Sequence, residues 1–141
     1  MYSRAHGAIS LVVSVVLVAL GVWFVHPVAT VAYGTAIGVG IDFDHFLMAR
    51  YNTGNWRALR FLLSNPRQAL SDQSTIFEAA DLSHFDRLVS HVLIIGVAVP
   101  LTWWVDASLG LLTAVVLYAH VLADLIADRR DHNAARQSSR L

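Results

Sequence analysis

The chain has no cysteine, no lysine, only three prolines and few charges of either sign. Without cysteine it can form no disulfide, no thiolate metal site and no cysteine nucleophile. Charged residues are 14% of 141, ten basic and ten acidic, for a formal net charge of zero. That balance excludes a nucleic-acid binder running on bulk positive charge, and no nucleic acid is expected as a stable partner. Apolar residues fill the space instead. They make up 56% of the chain, and the mean hydropathy is +0.55, too high for a disordered or collagen-like sequence. The length fits one domain, with no internal repeat or low-complexity tract. All ten basic residues are arginines, at 4, 50, 57, 60, 67, 87, 129, 130, 136 and 140.

Hydropathy divides the chain into four spans, at about 7–26, 27–45, 88–105 and 108–127. From Gly7 to Val25 nothing is charged, and those residues, at 1.5 Å each, nearly match a hydrocarbon core of roughly 30 Å. Arg4 ahead of this run fits a signal peptide too. No small-residue cleavage site follows His26-Pro27, so a retained helix is expected. The second span reaches length only if its helix continues through Asp42-Phe43-Asp44-His45. Its Gly34 and Gly38 form a G-x-x-x-G pair suited to close packing in lipid. The 49–87 segment carries five arginines and the Asn65-Pro66 break, and two or three short helices are expected there, one of them interfacial before the proline. Asp106 to Ser108 is read as a tight turn, and residues 129–141 as a frayed polar tail.

Four spans put both termini and the 49–87 loop on one side. All ten arginines then share that side, which the positive-inside rule makes cytoplasmic. The expectation is therefore all-α: a four-helix bundle with short interfacial helices in its loop, multi-pass in the inner cell membrane, with lipid as its partner.

Ionisable residues in or beside spans are costly and are functional candidates. Here they are His6, Asp42, Asp44, His45, His91, His120 and Asp124, with His84 and Asp86 just before the third span. In an alternating bundle all lie at the cytoplasmic ends. His120 and Asp124 are four apart and share a helix face about 6 Å apart, so they can bind one metal, or the carboxylate can orient the imidazole. Asp42 and Asp44 diverge by about 200° on a helix and serve one metal only if the helix unwinds, which the preceding glycines permit. Oxygen and nitrogen ligands without thiolate suit zinc, and also manganese or iron. A catalytic ion would keep a position for water and let a carboxylate act as base. No Ser-His-Asp or G-x-S-x-G pattern competes, and Gly38-Val-Gly40 lacks a full dinucleotide or P-loop signature.

Each residue also has a plain structural reading. His91 alone would be a hydrogen-bonded core histidine, Asp124 could pair with Arg129 or Arg130, and Asp42 and Asp44 could simply end a helix. His26 and His132 read as surface residues, and Arg50 to Arg67 as membrane anchors. What those readings leave unexplained is the shared depth of the intrusions.

Four short elements resemble the membrane-bound metal-dependent hydrolase family (YdjM-like): His6 in Arg4-Ala-His-Gly, Gly40-Ile-Asp-Phe-Asp-His45, Asp86-Arg-Leu-Val-Ser-His91 and Ala119-His-Val-Leu-Ala-Asp124. That family has an early His at the head of its first helix, followed by P-D-x-D-H, H-R-G-x-T-H and S-H-x-x-x-D elements. Gly40 stands for the proline, Leu88 for the glycine and Asp86 for the first His of the third element, with His84 as a substitute for that His. The family is distantly similar to zinc-dependent phospholipase C and nuclease enzymes. The resemblance implies metal-dependent hydrolysis of a phosphoester or lipid-like substrate. Its ligands would be drawn from His6, Asp42, Asp44, His45, Asp86, His91, His120 and Asp124, with Asp42 or Asp44 as bridging ligand or base. The competing expectations are a non-catalytic metal-binding or proton-relay membrane protein and a structural four-helix protein. A transporter would carry polar residues onward, whereas spans one and three read as wholly apolar beyond His6 and His91.

Overall fold

A computed structural model describes residues 3–69, 76–77 and 81–138, and among these the regular structure is entirely helical. Helix α1 (Ser3–Ala19) ends earlier than the expected first span. Gly21 takes φ +88°, Val22 N–H donates to Leu17 O (2.9 Å) and Gly21 N–H to Val18 O (3.0 Å). These two bonds satisfy the last carbonyls of the helix, a stop signal that a hydropathy count does not register. Helix α2 (Pro27–Gly40) starts where Pro27 presets the first helical φ and His26 Nδ1 accepts from Val28 N–H. His26, exposed as expected, is thus also a cap.

A 3-10 turn at Ile41–Phe43 leads directly into α3 (Asp44–Thr53), so the chain tightens at the place where the glycines would have permitted unwinding. Helix α4 (Arg57–Ser64) is the short helix expected before Pro66, and a 3-10 turn follows at Pro66–Ala69. Arg57 pairs with Asp81 and reaches Ile76 O, tying these two residues to α4. Ala49, Ala58 and Ile76 form a small core there with Phe46 and Phe77.

Helix α5 (His84–Val105) runs through Pro100. A single residue, Asp106, separates it from α6 (Ala107–Ser138), and Asp106 Oδ1 caps α6 by accepting from Leu109 N–H at 2.9 Å. Residues 129–138 are therefore helical and not a frayed tail. Ala, Arg and Gln favour helix, and no Gly or Pro interrupts them.

Helix α6 packs against α1, α2 and α5, and α3 packs on α5. A Cβ on Gly34 would lie 2.1 Å from Ser14 Oγ, and one on Gly38 1.9 Å from Ser10 Oγ. Only glycine allows α1 and α2 to approach this closely. Ser10 and Ser14 continue the His6 face of α1 at four-residue steps, fully buried, so the expectation that span one is wholly apolar beyond His6 does not hold.

The interior contrasts with the surface. Buried positions are mostly polar, while Val12 (60% exposed), Leu93 (65%) and Trp104 (86%) face outward. Exposed apolar surface on that scale marks a face that contacts something other than water. Helices α5 and α6 are each long and apolar enough to cross a membrane.

A candidate metal centre at one end of the helices

Four chain-distant segments meet at one end of the helices. His6 comes from the first turns of α1, Asp42 from the 3-10 turn, and Asp44 and His45 from the start of α3. His91 comes from α5, and His120 and Asp124 from α6. All seven are buried or nearly so.

The imidazoles form two pairs. His6 stacks on His120 with ring centroids 3.8 Å apart, and His45 stacks on His91 at 5.2 Å. Between the pairs, His91 Nε2 and His120 Nε2 are 3.2 Å apart. The far nitrogen of each ring is anchored: His91 Nδ1 lies 2.7 Å from Asp44 Oδ2, and His120 Nδ1 lies 2.7 Å from Gly38 O. A carbonyl only accepts, so His120 Nδ1 carries the proton, and an ionised Asp44 demands the same of His91. With those protons on Nδ1, the neutral form of each ring turns its Nε2 lone pair towards the other. This is the orientation by which carboxylates and carbonyls prepare histidines for a metal.

Carboxylates complete the shell. Asp42 Oδ1 lies 3.3 Å from His120 Nε2 and 3.6 Å from His91 Nε2. Asp124 Oδ2 lies 3.6 Å from His120 Nε2 and 3.7 Å from His91 Nε2, and its Oδ1 lies 3.1 Å from His6 Nε2. Ligands at roughly 2.1 Å around a tetrahedral ion sit about 3.4 Å from one another, so these separations match the edges of a coordination shell. Two groups have mutually close ligand atoms: His6, Asp42, His120 and Asp124, and Asp42, His45 and His91. These buried groups could hold a metal ion.

Asp42 and Asp44 meet His91 at different nitrogens, although both lie near His45 Nε2. The 3-10 turn sets them on opposite sides of His91, Asp42 towards Nε2 and Asp44 on Nδ1. Asp44 therefore orients a ligand from behind. Asp86 is elsewhere. Its carboxylate accepts from Ser83 N–H and Oγ and from Asn52 Nδ2, while Ser83 Oγ accepts from Asp86 N–H. It forms a capping box at the head of α5, and this use removes it from the expected ligand set. The side chain of His84, its substitute, lies outside the described residues.

Two participants went unnoticed in the sequence. Arg87 Nη2 lies 3.0 Å from Asp124 Oδ1, so Asp124 is met by α5 and not by Arg129 or Arg130, which are exposed. The signal was available, because Arg87 and His91 are four apart on one face. Gly38 contributes its carbonyl, four residues before Asp42. Of the expected anchors, Arg50 lies over the Trp56 ring at 5.8 Å.

Beside the cluster, a cavity of about 200 Å³ opens between α5 and α6. Arg87, His91, Asp124 and Asp128 line it together with apolar Phe85, Leu88, Val121 and Leu125. Comparison with protein families, with curated proteins and with solved structures finds no match to this chain.

Proposed function

We propose that this chain is a multi-pass membrane protein with both termini cytoplasmic, acting as a metal-dependent hydrolase on a phosphoester or lipid-like substrate. The observation that carries the metal half is the convergence of two anchored imidazoles, Nε2 to Nε2 at 3.2 Å, among the carboxylates of Asp42 and Asp124. Of the three carboxylates gathered here, Asp42, Asp44 and Asp124, only Asp124 pairs with a guanidinium, that of Arg87, and a divalent cation would offset the negative charge that remains. His6, Asp42, His120 and Asp124 would hold it, and zinc suits such a nitrogen and oxygen set. When bound, a divalent cation supplies Lewis acidity and an activated water.

The chain's own residues supply the rest. Gly38 O and Asp44 keep the Nδ1 protons of His120 and His91 in place. Arg87 steadies Asp124 from the cavity side. Asp42, 17% exposed against 3% for Asp44, is the carboxylate within reach of a substrate. The hydrolytic half rests on the family resemblance. The cavity supports the lipid-like substrate, since it joins Arg87 to outward apolar side chains. The outward apolar faces of α1, α5 and α6, and the absence of arginine from 20–26 and 106–108, support the topology.

The test is hydrolysis by detergent-purified protein of a chromogenic phosphodiester and a fluorescent phospholipid, before chelation, after it and after zinc is restored. Hydrolysis lost on chelation and regained with zinc is expected. A metal-loaded protein that cleaves neither probe contradicts the hydrolase reading and favours a non-catalytic metal site.

A further inference from the structure

We infer that the centre takes two divalent cations at once, with Asp42 as the carboxylate common to both. This inference rests on the metal reading above. A closed zinc site uses four protein ligands, and the seven side chains gathered here exceed what one such ion can engage. They divide into two groups whose ligand atoms lie close together, and Asp42 is the one residue in both. The imidazole stacking divides the same way, with His6 on His120 and His45 on His91.

The second group contains buried polar atoms without a hydrogen bond. His45 Nε2 is buried without a hydrogen-bond partner, 3.5 Å from Asp44 Oδ1 and 3.8 Å from Asp42 Oδ1. Asp44 Oδ1 is likewise buried and without a hydrogen bond. These separations are too long for hydrogen bonds and suit two ligands of one ion. An ion confined to the first group leaves His45 and this oxygen unanswered, at the cost that attaches to buried polar groups. A second cation also outweighs the local carboxylate charge, making the centre complementary to an anionic phosphoester. Paired cations are suited to clamping the attacking and leaving oxygens of such a substrate.

The test is titration of chelator-stripped protein in detergent with Mn(II), read by equilibrium dialysis and electron paramagnetic resonance. Two Mn(II) per chain and an exchange-coupled spectrum at saturation are expected. His45→Ala should saturate at one ion per chain with an uncoupled spectrum. One ion per chain in the wild type overturns the second site and leaves the metal reading standing, whereas no bound ion overturns both. Because the wild-type spectrum decides the matter by itself, a variant that fails to fold does not rescue the inference. Two ions retained by a folded His45→Ala also overturn it, since His45 would then not be a ligand.

Discussion

His91 Nε2 and His120 Nε2 lie 3.2 Å apart, carried by two different helices, with each ring held from behind by a separate acceptor. In their neutral form, imidazoles so anchored turn their Nε2 lone pairs inward, ready to serve as metal ligands.

Asp44 holds His91 from behind, by the bond of its Oδ2 to His91 Nδ1. Replacing such an outer partner lowers metal affinity roughly 10–100-fold. Asp44→Ala is therefore expected to weaken metal binding on that scale in a chelator-competition titration, with helix content unchanged by circular dichroism. Wild-type affinity in Asp44→Ala would show that His91 needs no such support.

Asp86 predicts the opposite pattern. As the N3 partner of the Ser83 cap it supports the head of α5, and its loss should lower stability. Asp86→Ala should thus unfold at lower temperature while keeping wild-type metal content. Metal loss with unchanged unfolding would reverse the assignment.

Gly38 and Gly40 are two residues apart and make a controlled pair. A Cβ on Gly38 meets Ser10 Oγ at 1.9 Å and Ser10 Cβ at 2.6 Å, while one on Gly40 meets nothing within 4 Å. Overpacking of this kind costs roughly 1–3 kcal/mol. Gly38→Ala should lower the unfolding temperature in detergent and weaken metal binding, because the Gly38 carbonyl holds His120. Gly40→Ala should do neither.

The proposed topology can be read with single cysteines, since the natural chain has none. A cysteine replacing Ala107, at the head of α6, should react with an impermeant maleimide in intact cells. Asn133→Cys, on the far extension of α6, should react only after the membrane is opened. Labelling of both from outside would contradict the shared cytoplasmic side of the arginines.

Much of this site is legible in the sequence because depth is legible. His6, Asp42, His91, His120 and Asp124 interrupt apolar runs at corresponding ends, and the fold brings those five together. Helix periodicity likewise exposes the shared face of His120 and Asp124. What stayed hidden depends on local backbone geometry. The 3-10 turn that sets Asp42 and Asp44 about His91 leaves no hydropathy trace. Ser10 and Ser14 disappear among valines, although their spacing repeats that of His6. The end of α1 at Ala19 is written in Gly21, and Asp86 is claimed by Ser83 three residues earlier. The α6 extension was obscured by its polarity, which says nothing against helix.

The central claim is that His6, Asp42, His120 and Asp124 hold a divalent cation. It is tested most directly by metal analysis of detergent-purified protein, prepared without chelator, as wild type, His120→Ala and Asp42→Ala. The account predicts bound metal in the wild type and its loss in both variants, with helix content retained. A metal-free wild type, or variants that keep the full complement, would contradict it.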